Sequence, residues 1–262
     1  MVLRMIELGY KLDEVIFCDT TVEFPAMLRH VEKVRTIVEK AGIIFTTLRA
    51  EHNFEYYLLH HKPKRRNADL SEMVGFSWPT SRVRWCTGTL KLHVLGKHIR
   101  NLKKIYEVRQ YVGLAADEEK RLSRKNNQAQ DHAHPLVDWG WTEKDAMNYC
   151  KEKGFDWEGL YDIFDRVSCW CCPLQPLTDL RKLREFYPTL WHQLLKLDEN
   201  TWKDYKEGYT ARDLDKRFEL EKALAEQGEK IRDRKFFTDL RRHLDDDVAI
   251  EEIVAERLAE RK

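Results

Sequence analysis

The chain has 262 residues, 42% of them hydrophobic and 35% charged, enough for one large domain or a domain with an appendage, built on a core that needs no staples. Its 46 Lys and Arg offset 45 Asp and Glu, for a formal net charge of +1, so no global field pulls it toward nucleic acid or membrane. No apolar run approaches the ~20 residues that cross a bilayer, and the charged start MVLRMIE is unlike a signal peptide. The expectation is a cytoplasmic protein with no membrane partner, whose six cysteines are reduced thiols or metal ligands.

In chain order, Glu14–Cys18 reads as a buried strand, and Pro25 opens a helix with apolar positions Met27, Leu28, Val31, Val34, Ile37 and Val38. Ala41-Gly42 ends that helix, and Ile43–Leu48 is a second strand. Leu90–Ile99 reads as a helix, Ile105–Leu114 as a third strand, and His134–Val137 as a short fourth. Thr142, followed by Asp145, caps a helix reaching about Lys153. Strands alternating with helices predict an α/β fold, a mainly parallel sheet with helices on both faces. From about Thr178 the pattern is helical and charged, with turn breaks near Pro188, Gly208 and Gly228. This predicts two parts, residues 1–177 and a helical extension over 178–262.

Chemistry concentrates in a few places. Cys169 and Cys172 form a C-x-x-C, a spacing that lets two thiolates share one ion, and Cys86 and Cys171 complete a four-thiolate set. The readings left open are an iron-sulfur cluster, a structural zinc, a redox dithiol, or free thiols packed among Trp85 and Trp170. Cys18 and Cys150 read as core residues. Asp19-Thr20-Thr21-Val22-Glu23 follows the first strand, where open parallel sheets bind ligands; its acidic and hydroxyl groups suit a ribose or a nucleotide's magnesium, or simply cap a helix. After the third strand, Gly113 allows close backbone approach, and beyond Glu118, Arg121 and Arg124 form a candidate phosphate or sulfate clamp. Lys62–Arg66 is a basic cluster that suits either nucleic acid or plain solvated surface. Trp139, Trp141, Trp157 and Trp170 read as core packing ahead of base stacking.

Taken in order, these blocks resemble the phosphoadenosine phosphosulfate (PAPS) reductase family, within the adenine nucleotide alpha hydrolases or N-type ATP pyrophosphatases. The matching blocks are Val15–Pro25, Arg84–Thr87 with Leu90-Lys91, Gly113–Arg121, His134–Leu136 with Trp141, and Leu160–Leu174; together they cover roughly residues 1–180. The resemblance implies an adenine nucleotide, ATP with magnesium or an adenylyl sulfate, lined by Asp19, Thr20, Glu23 and Glu118. It makes Lys91, Arg121 and Arg124 phosphate contacts. It assigns an iron-sulfur cluster or zinc to Cys86, Cys169, Cys171 and Cys172. The implied chemistry is adenylyl activation or sulfur transfer, with a nucleic acid or a sulfur-donor protein as candidate partner. The alternative is a metal-stabilised binding module without catalysis.

Two departures stand out. The family's Ser-Gly-Gly-x-Asp-Ser phosphate loop is absent, and Met1–Gly9 looks like the helix that normally follows it. The expectation is that the natural protein starts further upstream or that this version is rearranged or degenerate. No cysteine follows Cys172, whereas PAPS reductases carry a nucleophilic cysteine in a C-terminal segment.

Overall fold

Helix α1, Val2–Glu7, is a short amphipathic turn with Met5 fully buried, as the resemblance implied for this stretch. Strand β1, Glu14–Cys18, pairs in parallel with β2, Ile44–Leu48, with Glu14 opposite Ile44 and Cys18 opposite Leu48. A parallel pair needs a crossover, which α2, Pro25–Lys40, supplies. Pro25 fits its first turn, where no N–H partner is required. Gly42, at φ +75°, makes the left-handed exit that a side chain would resist. β1 is half-buried along its whole length rather than buried.

After α3, Phe54–Leu59, the chain re-enters through a π-helical turn, Thr87–Leu92, continuous with α4, His93–Leu102. The expected ten-residue third strand contracts to β3, Gln110–Tyr111. Its first half fails because the turn closing α4 runs on: Ile105 and Tyr106 bond back to Leu102 and stand in solvent. β3 pairs in parallel with β4, His132–Ala133. The crossover between them holds α5, Glu119–Leu122. The expected strand at His134–Val137 is instead α6, Pro135–Asp138, because Pro135 sits at the first helical position with its φ already set. α7, Glu143–Glu152, and α8, Leu160–Ile163, follow. The fold is α/β with parallel strands. Among the described residues its strands form two separate two-stranded sheets, β1-β2 and β3-β4, in place of the single expected sheet.

The structure is a computed structural model that describes residues 1–64, 70–231 and 233–260. The chain divides into two units, Met1–Phe54 with Arg82–Trp170, and Glu55–Ser81 with Cys171–Lys262. The second unit is helical beyond Pro176: α9, Leu177–Phe186; α10, Pro188–Asp198; α11, Ala211–Glu226; α12, Arg234–Asp245; α13, Ile250–Ala259. The breaks fall at Pro188, Gly208 and Gly228, as expected from sequence. Leu220, Leu224, Phe236, Leu240 and Ile253 form a dry core among its last three helices. Among the described residues, no helix is long and apolar enough to cross a membrane.

Candidate functional site

β1 delivers the chain into a loop, Asp19–Phe24, at the carboxyl end of the first strand pair. The Asp19 amide donates to the Leu48 carbonyl at 2.9 Å, extending the ladder by one bond. Its carboxylate is 4% exposed and fully engaged. Oδ1 accepts the Thr21 amide at 2.7 Å, and Oδ2 accepts Arg49 Nε at 2.8 Å, with Nη2 at 2.7 Å. This bridging turn sets Thr21 at φ +67°, which costs a non-glycine residue about 1–2 kcal/mol. The Thr21 hydroxyl secures the turn, donating to the Thr20 carbonyl at 2.6 Å and accepting the Phe54 amide at 3.0 Å. Strain of this kind persists where the surroundings over-determine it, commonly at functional sites.

Glu23 Oε1 is the convergence point. The buried Thr20 hydroxyl donates to it at 2.9 Å, Cys169 Sγ donates at 3.9 Å, and Lys91 Nζ lies 3.6 Å away. Thr20 Oγ1 and Cys169 Sγ are themselves 3.8 Å apart. Lys91 is delivered by the π-helical turn, a distortion that recurs at functional sites. Burial opposes its charge, but Glu23, Cys169 and Cys18 outweigh burial and hold its pKa above the usual lysine value. Cys18 Sγ contacts the Lys91 carbonyl at 4.0 Å; burial raises this thiol's pKa against the opposing pull of the ammonium. Thr20, Glu23, Lys91 and Cys169, drawn from three stretches of the chain, thus form one polar cluster, and the Asp19–Arg49 pair stands one residue before Thr20. The two cations, Lys91 and Arg49, keep 44% and 67% of their side chains exposed. A cleft of about 760 Å³ opens beside Asp19 and Arg49, with Phe17, Leu28, Arg35 and Thr47 in its lining. Sequence reasoning missed Arg49; its signal is a basic residue immediately after β2, at the strand end that carries Asp19 on β1.

The second group lies after β3, at the carboxyl end of the other parallel pair. Val112 continues the ladder to Ala133, and Gly113 follows. A Cβ at Gly113 would meet only the Met1 side chain, at 3.8 Å. Glu118 accepts the Ala115 amide at 3.2 Å and pairs with Arg121, one turn along α5. Arg124 stands in extended backbone beyond that helix. His134 closes the loop, its Nε2 2.7 Å from the Asn127 carbonyl.

The cysteines divide between the units, Cys86 and Cys169 in the first, Cys171 and Cys172 in the second. None of the six is joined in a disulfide among the described residues. Among the described residues, no three His, Cys, Asp or Glu side chains gather in a way that would hold a metal ion. Trp157 and Trp170 are buried, whereas Trp139 is half-buried and packs against Tyr10 and Trp141. Of the Lys62–Arg66 cluster, Arg65 and Arg66 lie outside the described residues.

A family model for the phosphoadenosine phosphosulfate reductase domain matches residues 1–175. The chain is 25% identical over 213 residues to the uncharacterized protein MJ0066 of Methanocaldococcus jannaschii, which spans 79% of this chain and 39% of that protein. It is 27% identical over 192 residues to the uncharacterized protein MJ0973 of the same organism, spanning 70% of this chain and 41% of that one. The chain spans about two fifths of the length of these curated relatives. With the domain model covering well over half of its residues, including both strand pairs and both candidate clusters, the chain belongs to the phosphoadenosine phosphosulfate reductase domain family.

Proposed function

We propose that this chain binds an adenine nucleotide, ATP or an adenylyl sulfate, outside the carboxyl ends of its parallel strands. The observation that supports the reading is the convergence of Thr20, Lys91 and Cys169 on Glu23 just past the end of β1, in a chain of this family. Open α/β folds bind ligands at that place. Lys91 meets an anionic phosphate or sulfate oxygen. Glu23 keeps the ammonium charged and aimed, and Thr20 holds the Glu23 carboxylate. Both Asp19 oxygens are taken by Thr21 and Arg49, so Asp19 fixes the loop and presents Arg49 rather than contacting the ligand. Glu118, Arg121 and Arg124 serve the same ligand from the β3 end.

The activity in this reading is adenylyl activation. An acceptor oxygen attacks the α-phosphorus of ATP, the bond to the β-phosphate oxygen breaks, and pyrophosphate leaves. Calorimetric titration with ATP plus magnesium and with adenosine 5′-phosphosulfate tests binding; pyrophosphate release tests chemistry. Binding without turnover by any acceptor favours a binding module that lacks catalysis, and absence of binding to both nucleotides overturns the reading.

A cysteine-held zinc or iron-sulfur cluster at Cys86, Cys169, Cys171 and Cys172 is a separate proposal, supported by the C-x-x-C spacing. Among the described residues no group of three such side chains is placed to hold an ion. Elemental analysis of the purified protein tests it: stoichiometric zinc or iron, lost in Cys169→Ser, supports it, and equal metal content in parent and variant removes it.

A further inference from the structure

The second unit carries a surface that the nucleotide reading does not use. Helix α3 and the turn after it place Tyr56, Tyr57, His60 and His61 together, and Phe76 closes the group. Tyr56 meets Tyr57 edge-on at 5.6 Å between centroids and leans on His60 and His61, both at 6.3 Å. Phe76 lies 4.8 Å from His61 and nearly parallel to Tyr57, at 20°. None of these five side chains is fully buried, and His60 is exposed.

The cluster is tied together by backbone hydrogen bonds. The amides of Gly75, Phe76 and Ser77 donate to the carbonyls of His61, Tyr57 and Leu58 at 2.8, 2.9 and 3.0 Å, satisfying carbonyls that the end of α3 would otherwise leave open. Gly75 is obligatory there: it sits at φ +73°, and a Cβ would stand 2.1 Å from the Leu58 carbonyl oxygen. Trp202 continues the surface, its indole donating to the Gly75 carbonyl at 3.2 Å, while Lys203 Nζ lies over its ring at 4.7 Å. Lys62 and Lys64, both exposed, follow His61 directly.

We propose that this surface binds single-stranded nucleic acid. Rings interleaved with lysines are what such a ligand needs: aromatic faces for unstacked bases and cations for the phosphates between them. A net charge of only +1 gives no general affinity for polyanions, so binding needs a local patch, and the substitutions below assign it to this surface. An acidic polypeptide would use the lysines but leave the rings without a role, which is why the nucleic acid is the occupant inferred.

The test is fluorescence anisotropy of the whole protein with a labelled oligothymidylate of about 15 nucleotides, within the span of known single-strand sites. Saturable binding that weakens with salt is expected. Tyr56→Ala weakens it about tenfold, the loss of one stacked base, and Tyr56→Phe restores it. Lys62→Glu with Lys64→Glu lowers the slope of log affinity against log salt by about 1.4, the share of two phosphate contacts on a single strand. His60→Ala, an exposed substitution, reads the same stacking loss should Tyr56→Ala fail to fold. Excess ATP leaves binding unchanged, separating this surface from the nucleotide site. Absence of saturable binding at low salt overturns the proposal, as does displacement by ATP. So does polyglutamate binding that equals oligonucleotide binding and ignores the ring substitutions, which assigns the patch to an acidic protein instead.

Discussion

Replacing Lys91 with Met removes the ammonium beside Glu23, the cation that the proposed nucleotide reading sets against an incoming anion. The side chain is 44% exposed and its nitrogen is 3.6 Å from Glu23 Oε1, so its contribution to folding is that of a screened surface pair, about 1 kcal/mol or less. For a chain of this size that corresponds to roughly 2–4 °C in melting temperature. Its contribution to ligand binding is larger, because a hydrogen bond to a charged group contributes about 1.5–3 kcal/mol. That corresponds to roughly 10- to 150-fold in Kd. Calorimetric titration of Lys91→Met with ATP plus magnesium and with adenosine 5′-phosphosulfate is therefore expected to show at least tenfold weaker binding in a protein that melts almost normally. Lys91→Arg should recover part of the loss. The pH dependence has a defined sign. The pKa of Lys91 is raised by its anionic neighbours against burial, so binding should be flat through neutral pH and fall only above the usual lysine range. A Kd within twofold of the parent for both nucleotides, in a folded variant, would refute the placement of Lys91 on the ligand.

Asp131 is held at about 2 by hydrogen bonds from Lys103 and Gln110, and Gln110 lies on β3 beside it. A depressed carboxyl stabilises the fold above its unfolded pKa and stops doing so as pH falls through its folded one. Melting temperature should therefore drop between pH 4 and pH 2, and Asp131→Asn should flatten that drop; an unchanged slope removes Asp131 as its source. Gly75→Ala forces a side chain to φ +73° and into the Leu58 carbonyl. The left-handed backbone alone costs about 1–2 kcal/mol and the clash adds to it, so urea unfolding should show a loss above about 2 kcal/mol. Thr142→Ala removes a capping box in which Thr142 Oγ1 accepts the Asp145 amide at 3.2 Å and Asp145 accepts the Thr142 amide at 2.9 Å. The expected loss is about 1 kcal/mol, read by the same unfolding assay.

What the sequence made legible follows from how local the determining physics is. The boundaries of α2, the cap at Thr142 and the breaks at Pro188, Gly208 and Gly228 depend on residues within one turn of the event. Such signals can be read in order along the chain. The β1 loop is legible as a candidate for a related reason: an acid and hydroxyls just past a strand lie where parallel folds bind ligands. The strand expected over 105–114 shortens to Gln110–Tyr111 because its first residues close the turn after α4 instead. Ile105 is 75% exposed and Tyr106 64%, and burial is decided by tertiary partners that a linear reading cannot supply. His134–Val137 departs from expectation in another way, since a proline that permits an edge strand also permits a helix start, and only the neighbouring chain selects between them. Arg49 stayed hidden because its meaning lies in register. It matters only once β2 pairs with β1 so that Leu48 lies opposite Cys18, which brings the residue after β2 beside Asp19. The same holds for the convergence on Glu23: Thr20 is three residues away and local, but Lys91 and Cys169 reach it only through the fold. Residues of the right chemistry can therefore be named from sequence, while the atom on which they meet is a property of the packed chain.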